Sequence, residues 1–391
     1  MNKKKLLITG STFPRWKGDT EPRFILDYAK AMAKYYDVTV LVPAAVGASS
    51  KEILEGIPVI RYHYFPIHEL ETLCYPGAIV PRIREKKTRV LLVPFLFLAQ
   101  FVATRKQCKK VDIVHVHWLI PQGIVQCFIN KPYIITGHGG DVMSLNKGLF
   151  KFLKVRCLKR ARAVAVVSGP LKKKIREIVP NLNAHVISMG CNTKLFGPDK
   201  RREQFFHQGE DKVILFVGRL AEKKGVPYLI EAMRKVERAV LVIVGKGDME
   251  QELKLLASDM QDKVQFWGPK THEELANIYA SADVFVAPSI TARDGDTEGL
   301  PTAIIEAMAS GLPVISTRSG GIEDLIKHNE NGLLVDEKDS DKISEYINSL
   351  IRDTVLSERL SAAAIQTAQE YDYDNIAYRY RELIESSEVF R

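Results

Sequence analysis

One local pattern runs through the whole chain: short runs of Val, Ile and Leu alternate with longer stretches of helical spacing. In the front half the runs are KKLLIT, DVTVLVP (37–43), VDIVHVH (111–117), PYIIT (132–136), ARAVAVVS (161–168) and AHVIS (184–188). Near-continuous apolar runs of this length suit strands covered on both faces of a parallel sheet. Helical patterns such as EPRFILDYAKAMAKYY (21–36) fill the gaps. The pattern then starts again with KVILFVG (212–218), AVLVIVG (239–245), VQFWG (264–268), DVFVAPS (283–289), LPVIST (312–317) and GLLVD (332–336). Between the two series lies CNTKLFGPDKRREQFFHQGED (191–211), polar and charged, which reads as an inter-domain linker. The expectation is an α/β chain of two doubly wound, Rossmann-like domains facing across a cleft, residues 1–190 and 191–370. The last segment, 371–391, holds an amphipathic helix.

A length of 391 residues accommodates two such domains. The five cysteines are scattered and form no C-x-x-C, which speaks against a disulfide framework or a zinc site and for a reducing cytoplasm. The opening MNKKKLLITGS reads as a first strand rather than a secretory leader. The longest apolar run, VLLVPFLFLAQFV (90–102), has 13 residues, short of the roughly 20 a spanning helix needs. Core burial and bilayer contact both remain open for it.

Charge is divided unevenly. Residues 1–195 carry 32 Lys+Arg against 12 Asp+Glu, a net +20, and the remainder carries −11. The front half is therefore expected to face an anionic partner or to present a solvated basic face. The segments 82–110, 151–162 and 171–179 bracket apolar residues with cations, as in amphipathic elements that bind anionic bilayers. No aromatic platform or nucleic-acid module accompanies them, so nucleic acid is not an expected partner.

Ligands of open α/β sheets bind beyond the carboxyl ends of the strands. Two segments there stand out. In TEGLPTAIIEAMASG, Pro301 fits the first helical position, Glu298 falls in the loop before it, and Glu306 falls in the second turn. A helix start between two carboxylates suits a phosphate, with the acids accepting bonds from sugar hydroxyls. A capping acid and a surface acid would show the same spacing. In GRLAEKKG (218–225), Arg219 and Lys224 would project after a strand as a fork and a point charge, fitting a diphosphate. Two solvated cations is the plainer reading.

The back half resembles the donor-binding half of the "group 1" retaining GT-B glycosyltransferases. The resemblance rests on VGRLAEKKG, VGKGDMEQEL, WGPKTHEELANIYASADVFVAPS, EGLPTAIIEAMASGLPVISTRSGG and NGLLV, in that order over 212–336, and on the Glu-x7-Glu spacing. FPRWKGD, VHVHWLIPQG and TGHGGDV carry it more weakly in the front half. The resemblance implies the GT-B fold, with 1–190 binding acceptor, 191–370 binding donor, and the helix in 371–391 packing back on the first domain. It implies that Arg219 and Lys224 bind the donor diphosphate, Glu306 the ribose and Glu298 the donor sugar, with His138 lining the reaction centre. Gly18 would approach phosphate; Gly218, Gly268, Gly299, Leu300 and Pro301 would complete the donor site. Asp141 could orient His138, touch acceptor or simply cap a turn. His115 and His117 alternate on one strand, one expected toward the cleft and one toward the core. Asp294-Gly-Asp296 reads as D-x-D, a metal-binding pattern elsewhere, or as an acid pair at a loop tip. Cations already supply charge compensation, so no metal and no cofactor is expected; the nucleotide-sugar is a substrate.

The expected activity is transfer of a sugar, with retention, from a nucleotide diphosphate donor to a lipid-linked saccharide or glycan in surface-polysaccharide synthesis. The expected place is the cytoplasm, peripherally on the inner face of the plasma membrane. A nucleotide-sugar epimerase on the same architecture and a non-catalytic membrane- or nucleic-acid-binding scaffold stay open from the residues.

Overall fold

A computed structural model describes residues 3–203, 205–206 and 211–387. By internal packing the chain forms two units. One holds the residues up to Ser188 together with the closing helix from Tyr373; the other is Met189–Asp372.

The first unit is built on eight strands: β1 (Lys5–Thr9), β2 (Asp37–Pro43), β3 (Lys51–Leu54), β4 (Ile57–Tyr62), β5 (Ile113–His117), β6 (Tyr133–Gly137), β7 (Ala163–Val166) and β8 (Ala184–Val186). Their order is β3-β4-β2-β1-β5-β6-β7-β8, parallel except for the β3–β4 pair. The six expected strands all form. The chain adds a hairpin, β3–β4, in KEILEGIPVIRY, whose Pro58 and mixed polarity obscure it in sequence. The unit's main helices are α1 (Phe24–Met32), α2 (Val93–Cys108), α3 (Gly148–Arg160) and α4 (Gly169–Ile178). Right-handed crossovers place α2, α3 and α4 on one face of the sheet and α1 on the other.

The second unit has β9 (Lys212–Val217), β10 (Ala239–Val244), β11 (Val264–Gly268), β12 (Val284–Ala287), β13 (Val314–Thr317) and β14 (Leu333–Val335). All pairs are parallel, in the order β11-β10-β9-β12-β13-β14. Helices α5 (Val226–Met233), α6 (His272–Ser281) and α7 (Thr302–Ala309) connect them. In α7, Ile304, Ile305, Ala307 and Met308 are fully buried, and each large side chain contributes roughly 1.5–3 kcal/mol. That burial holds the helix start that the site uses.

The segment 191–211 is less of a linker than its polarity suggests. Cys191, Phe196 and Phe206 enter the core of the second unit; Gln204 and residues 207–210 lie outside the described residues. Cys191 N–H donates to Tyr371 O at 2.9 Å, so the chain's way into this unit and its way out lie side by side. The closing helix, α8 (Tyr373–Ser386), packs on α1 of the first unit. Its Tyr380 hydroxyl reaches Thr136 Oγ1 on β6 at 3.1 Å.

Candidate active site

In the second unit the strand order reverses between β9 and β12. That switch point is where a doubly wound sheet opens a crevice for a ligand. The segments leaving those two strands are Gly218–Gly225 and the stretch from Pro288 to the start of α7. Gly225, with φ +64°, brings them close, since a Cβ there would come within 1.9 Å of the Pro288 carbonyl oxygen, and two more glycines seat the neighbouring loops against them. Gly245, with φ +135°, lies where a Cβ would come within 1.9 Å of the Gly218 carbonyl oxygen. Gly320, with φ +57°, lies where a Cβ would come within 2.1 Å of the Glu298 carbonyl oxygen. Gly268, with φ +66°, accepts Gly245 N–H at 2.9 Å, tying the end of β11 to the same rim.

Lys224 and Glu298, 74 residues apart in sequence, meet here. Lys224 Nζ stands 3.1 Å from Glu298 Oε1, an ion pair without hydrogen-bond alignment. Lys223 Nζ stands 3.1 Å from Asp296 Oδ2. Burial alone would raise the Glu298 pKa, but the charges of Lys224 and Lys223 prevail and hold it below its ordinary value. Burial pulls the other way on Lys223, where Glu298 and Asp296 keep the ammonium pKa raised. Ionised Glu298 thus sits inside a lysine pair. Asp296 in the D-x-D sequence serves that pair, and its N–H donates to Asp294 Oδ1 at 3.0 Å.

Arg219 is placed differently. Its Nη2 lies 3.4 Å from Asp248 Oδ1 in an exposed, loose pair. Such pairs are worth about 0–1 kcal/mol, so the guanidinium is cheap to turn toward a stronger anion.

Glu306 sits in the second turn of α7 as expected. Tyr279 OH donates to its Oε2 at 3.1 Å, and His272 Nε2 lies 3.9 Å from its Oε1, both from α6. Burial and the Glu306 charge raise the Tyr279 pKa, keeping that hydroxyl a donor. Pro301 is the N-cap residue rather than the first helical residue, a one-position correction. It offers no side-chain cap to α7, whereas Thr271 and Glu274 close the start of α6 with a reciprocal capping box. Of these two helix starts, α7's is the one its own side chains leave open. Gly299 is buried and Leu300 packs against the core just before it.

The first unit holds the remaining expected residues. Gly18, with φ +76°, is exposed in the loop leaving β1. That loop is closed by Asp19 N–H to Trp16 O at 3.3 Å and by the Arg15–Asp19 pair at 2.7 Å. His138 follows β6. Its Nε2 lies 2.9 Å from His117 Nδ1, and Trp118 and Phe24 pack on its ring. Burial lowers its pKa to about 4 against the raising effect of Asp141. Asp141 is a turn cap: its Oδ1 accepts His138 N–H at 3.0 Å and Gly139 N–H at 2.9 Å, and its Oδ2 accepts Leu119 N–H at 2.8 Å.

The expectation that His115 and His117 point opposite ways fails. Residues two apart on a strand share a face, and both rings are fully buried, 4.3 Å apart. Sequence reading also passed over Lys223, Tyr279, His272 and Gly320. The doubled lysine in EKKG and the doubled glycine in RSGG were the available signals for Lys223 and Gly320, whereas Tyr279 and His272 read as ordinary residues of a helix.

The description "Glycosyl transferases group 1" matches residues 198–367, and "Glycosyltransferase Family 4" matches 22–195. The amylovoran biosynthesis glycosyltransferase AmsK of Erwinia amylovora is 40% identical over 348 residues, 87% of this chain and 72% of that protein. The chain belongs to the group 1 glycosyltransferases. A GDP-mannose-dependent alpha-(1-6)-phosphatidylinositol monomannoside mannosyltransferase of Mycobacterium tuberculosis is 33% identical over 225 residues, 54% of this chain and 58% of the relative. The structure of Anabaena HepE, solved with UDP and glucose, superposes with a TM-score of 0.74 at 19% identity, over 98% of this chain and 100% of that one. The GT-B fold that the sequence motifs implied is the fold of this glycosyltransferase.

Proposed function

We propose that this glycosyltransferase is a retaining, metal-independent hexosyltransferase using a UDP- or GDP-sugar. Its acceptor is a lipid-linked saccharide or glycan in cell-surface polysaccharide synthesis, met at the inner, cytoplasmic face of the plasma membrane. The observation that carries the reading is the Lys224–Glu298 pair beside the open start of α7, at the switch point of the β9–β12 sheet.

The chemistry follows from charge. Breaking a glycosidic bond to a nucleoside diphosphate moves negative charge onto the β-phosphate. Lys224 and the N–H groups of α7 meet that charge, and Arg219 joins them by turning from its loose Asp248 pair at little cost, so the barrier falls. Glu298 and Glu306 are acceptors suited to sugar hydroxyls, the first for the donor sugar and the second for the ribose. His138 is assigned the donor sugar by family resemblance, and Asp141 shapes the loop that carries it. Internal return, with the acceptor entering on the leaving-group face, is the proposed route to retention. The amylovoran enzyme and the phosphatidylinositol mannoside enzyme support the acceptor class by what they are named for.

Calorimetry against UDP-, GDP- and ADP-sugars tests the donor, and proton NMR of the product formed with a lipid-linked acceptor reads the anomeric configuration. Retention at an unchanged rate in EDTA is expected. Stoichiometric isomerisation of the donor without an acceptor would assign the chain to epimerisation instead.

A further inference from the structure

Helix α2 is built inside out. The residues it turns toward its own unit are Leu96, Gln100, Thr104 and Cys108, two of them polar. Phe95, Leu98 and Val102, with Leu91 one turn earlier, follow the 3–4 spacing of a single helical face and are 45–69% exposed. At about 100° per residue that face points directly away from the buried row. An amphipathic helix of a soluble domain does the opposite.

The apolar face continues beyond α2. That helix packs on the turn Ile124–Gln126, which packs on α3. Phe128, just after that turn, is exposed with the Arg156 guanidinium over its ring at 5.1 Å. Phe152 is exposed on α3. Exposed apolar side chains gathered on adjoining elements in this way mark a contact site.

The surrounding charge selects the occupant. Residues 82–110 carry nine Lys and Arg and one acid, and the exposed ones lie at both ends of the helix, among them Lys86, Lys87, Lys106 and Lys109. Residues 147–162 carry seven cations and no acid. Protein interfaces are depleted in lysine. An apolar strip edged by lysines matches acyl chains beneath anionic headgroups. The stretch Lys87–Cys108 is also long and apolar enough to cross a bilayer. It cannot do so here, because its inner face packs against β2 and β4 as a wall of the folded unit.

We propose that the outward face of α2, extended by Phe128 and α3, inserts shallowly into an anionic bilayer, with Leu98 and Val102 among the acyl chains and the flanking lysines at the headgroups. This deepens the reading above, resting on it only for the lipid-linked acceptor that gives the contact its purpose.

The test is flotation of the whole protein with phosphatidylcholine vesicles, with and without about one third phosphatidylglycerol. Thermal melting and nucleotide-sugar calorimetry run alongside, without vesicles. The wild type is expected to float with the anionic vesicles and at least tenfold less with the neutral ones. Leu98→Asp with Val102→Asp is expected to weaken flotation at least tenfold while melting and donor binding stay unchanged. A wild type that ignores anionic vesicles, equal binding to both compositions, or a double variant that floats like the wild type overturns the proposal. So does sedimentation velocity showing a wild-type dimer that the double variant dissolves, since the face then belongs to a second copy. Absent donor binding with intact flotation defeats the enzymatic reading and leaves the surface standing.

Discussion

His117 Nδ1 stands 2.9 Å from His138 Nε2 across β5 and β6, and His117 Nε2 is buried with no partner among the described residues. An orphaned lone pair is cheaper than an orphaned N–H. The proton therefore belongs on His117 Nδ1, donated to His138, which leaves His138 its Nδ1–H. A connected chain backs the neighbouring ring. Tyr380 OH donates to Ile187 O at 3.1 Å, so it accepts from Thr136. Thr136 then accepts His115 Nε2–H, and His115 Nδ1 accepts from Tyr28 OH. The closing helix α8 thus takes part in fixing the rings behind His138.

His117→Leu should remove the donor and leave His138 Nε2 unpaired. The expected cost is about 1–3 kcal/mol in urea unfolding. A displaced His138 should lower kcat by roughly 10–100-fold with little change in donor KM. His117→Asn, whose amide nitrogen can stand near the lost Nδ1, should recover most of kcat. Equal kcat in all three proteins would remove His117 from the positioning of His138.

Acid should unfold the first unit through these histidines. Burial lowers the His115 pKa to about 3 and that of His138 to about 4, and pushes His117 well below its ordinary value. Unfolded histidines titrate near 6.5, so below that pH the unfolded chain binds protons that the folded chain refuses. Unfolding free energy therefore falls as pH falls, by up to about 1.4 kcal/mol per pH unit for each neutral histidine. Urea midpoints at pH 7 and pH 5 bracket this window above most carboxylate titrations. A midpoint that holds or rises at pH 5 contradicts the assignment.

The sequence makes the strands legible because buried parallel strands are apolar along their whole length, as in AVLVIVG for β10. The β3–β4 edge hairpin is hidden because its pattern, with Lys51, Glu52 and Pro58, has neither continuity nor clean alternation. The α2 face is hidden for a deeper reason. Periodicity locates a helix's apolar side but says nothing of which way that side turns, and here Leu98 turns out while Gln100 turns in. At the site, Glu-x7-Glu and the Arg219–Lys224 pair mark the right segments. The pairing of Lys224 with Glu298 needs the β9–β12 adjacency, which no local spacing encodes. The Tyr279–Glu306 bond likewise depends on how α6 packs beside α7.

Lys224→Met should raise the Glu298 pKa, because the nearest of the two lysine charges is lost while burial remains. Breaking a buried pair outright costs about 3–5 kcal/mol. Lys223 stays to share the load, so about 1–3 kcal/mol is expected in urea unfolding. Turnover should fall about 10²–10³-fold through lost stabilisation of the leaving diphosphate. Adding Glu298→Gln should restore stability without restoring turnover, since no buried charge is then stranded. A double variant no more stable than Lys224→Met would show that the pair is not what holds this loop.

Gly320→Ala tests the loop geometry from below. The new methyl would fall 2.1 Å from the Glu298 carbonyl oxygen, a rigid backbone atom, at a φ of +57° that alanine disfavours. Gly321 N–H also donates to that oxygen at 3.3 Å, so the 319–321 turn cannot retreat without releasing it. The Glu298 loop must move instead, carrying its carboxylate away from Lys224. The expected outcome is at least 1 kcal/mol of destabilisation from strain, with donor affinity falling tenfold or more by calorimetry. Gly56→Ala, in the β3–β4 turn, also carries a positive φ, but its Cβ meets nothing within 4 Å, so it should show the strain without the displacement. Donor affinity that falls equally in both variants would mean that backbone strain, rather than the position of Glu298, sets the loss.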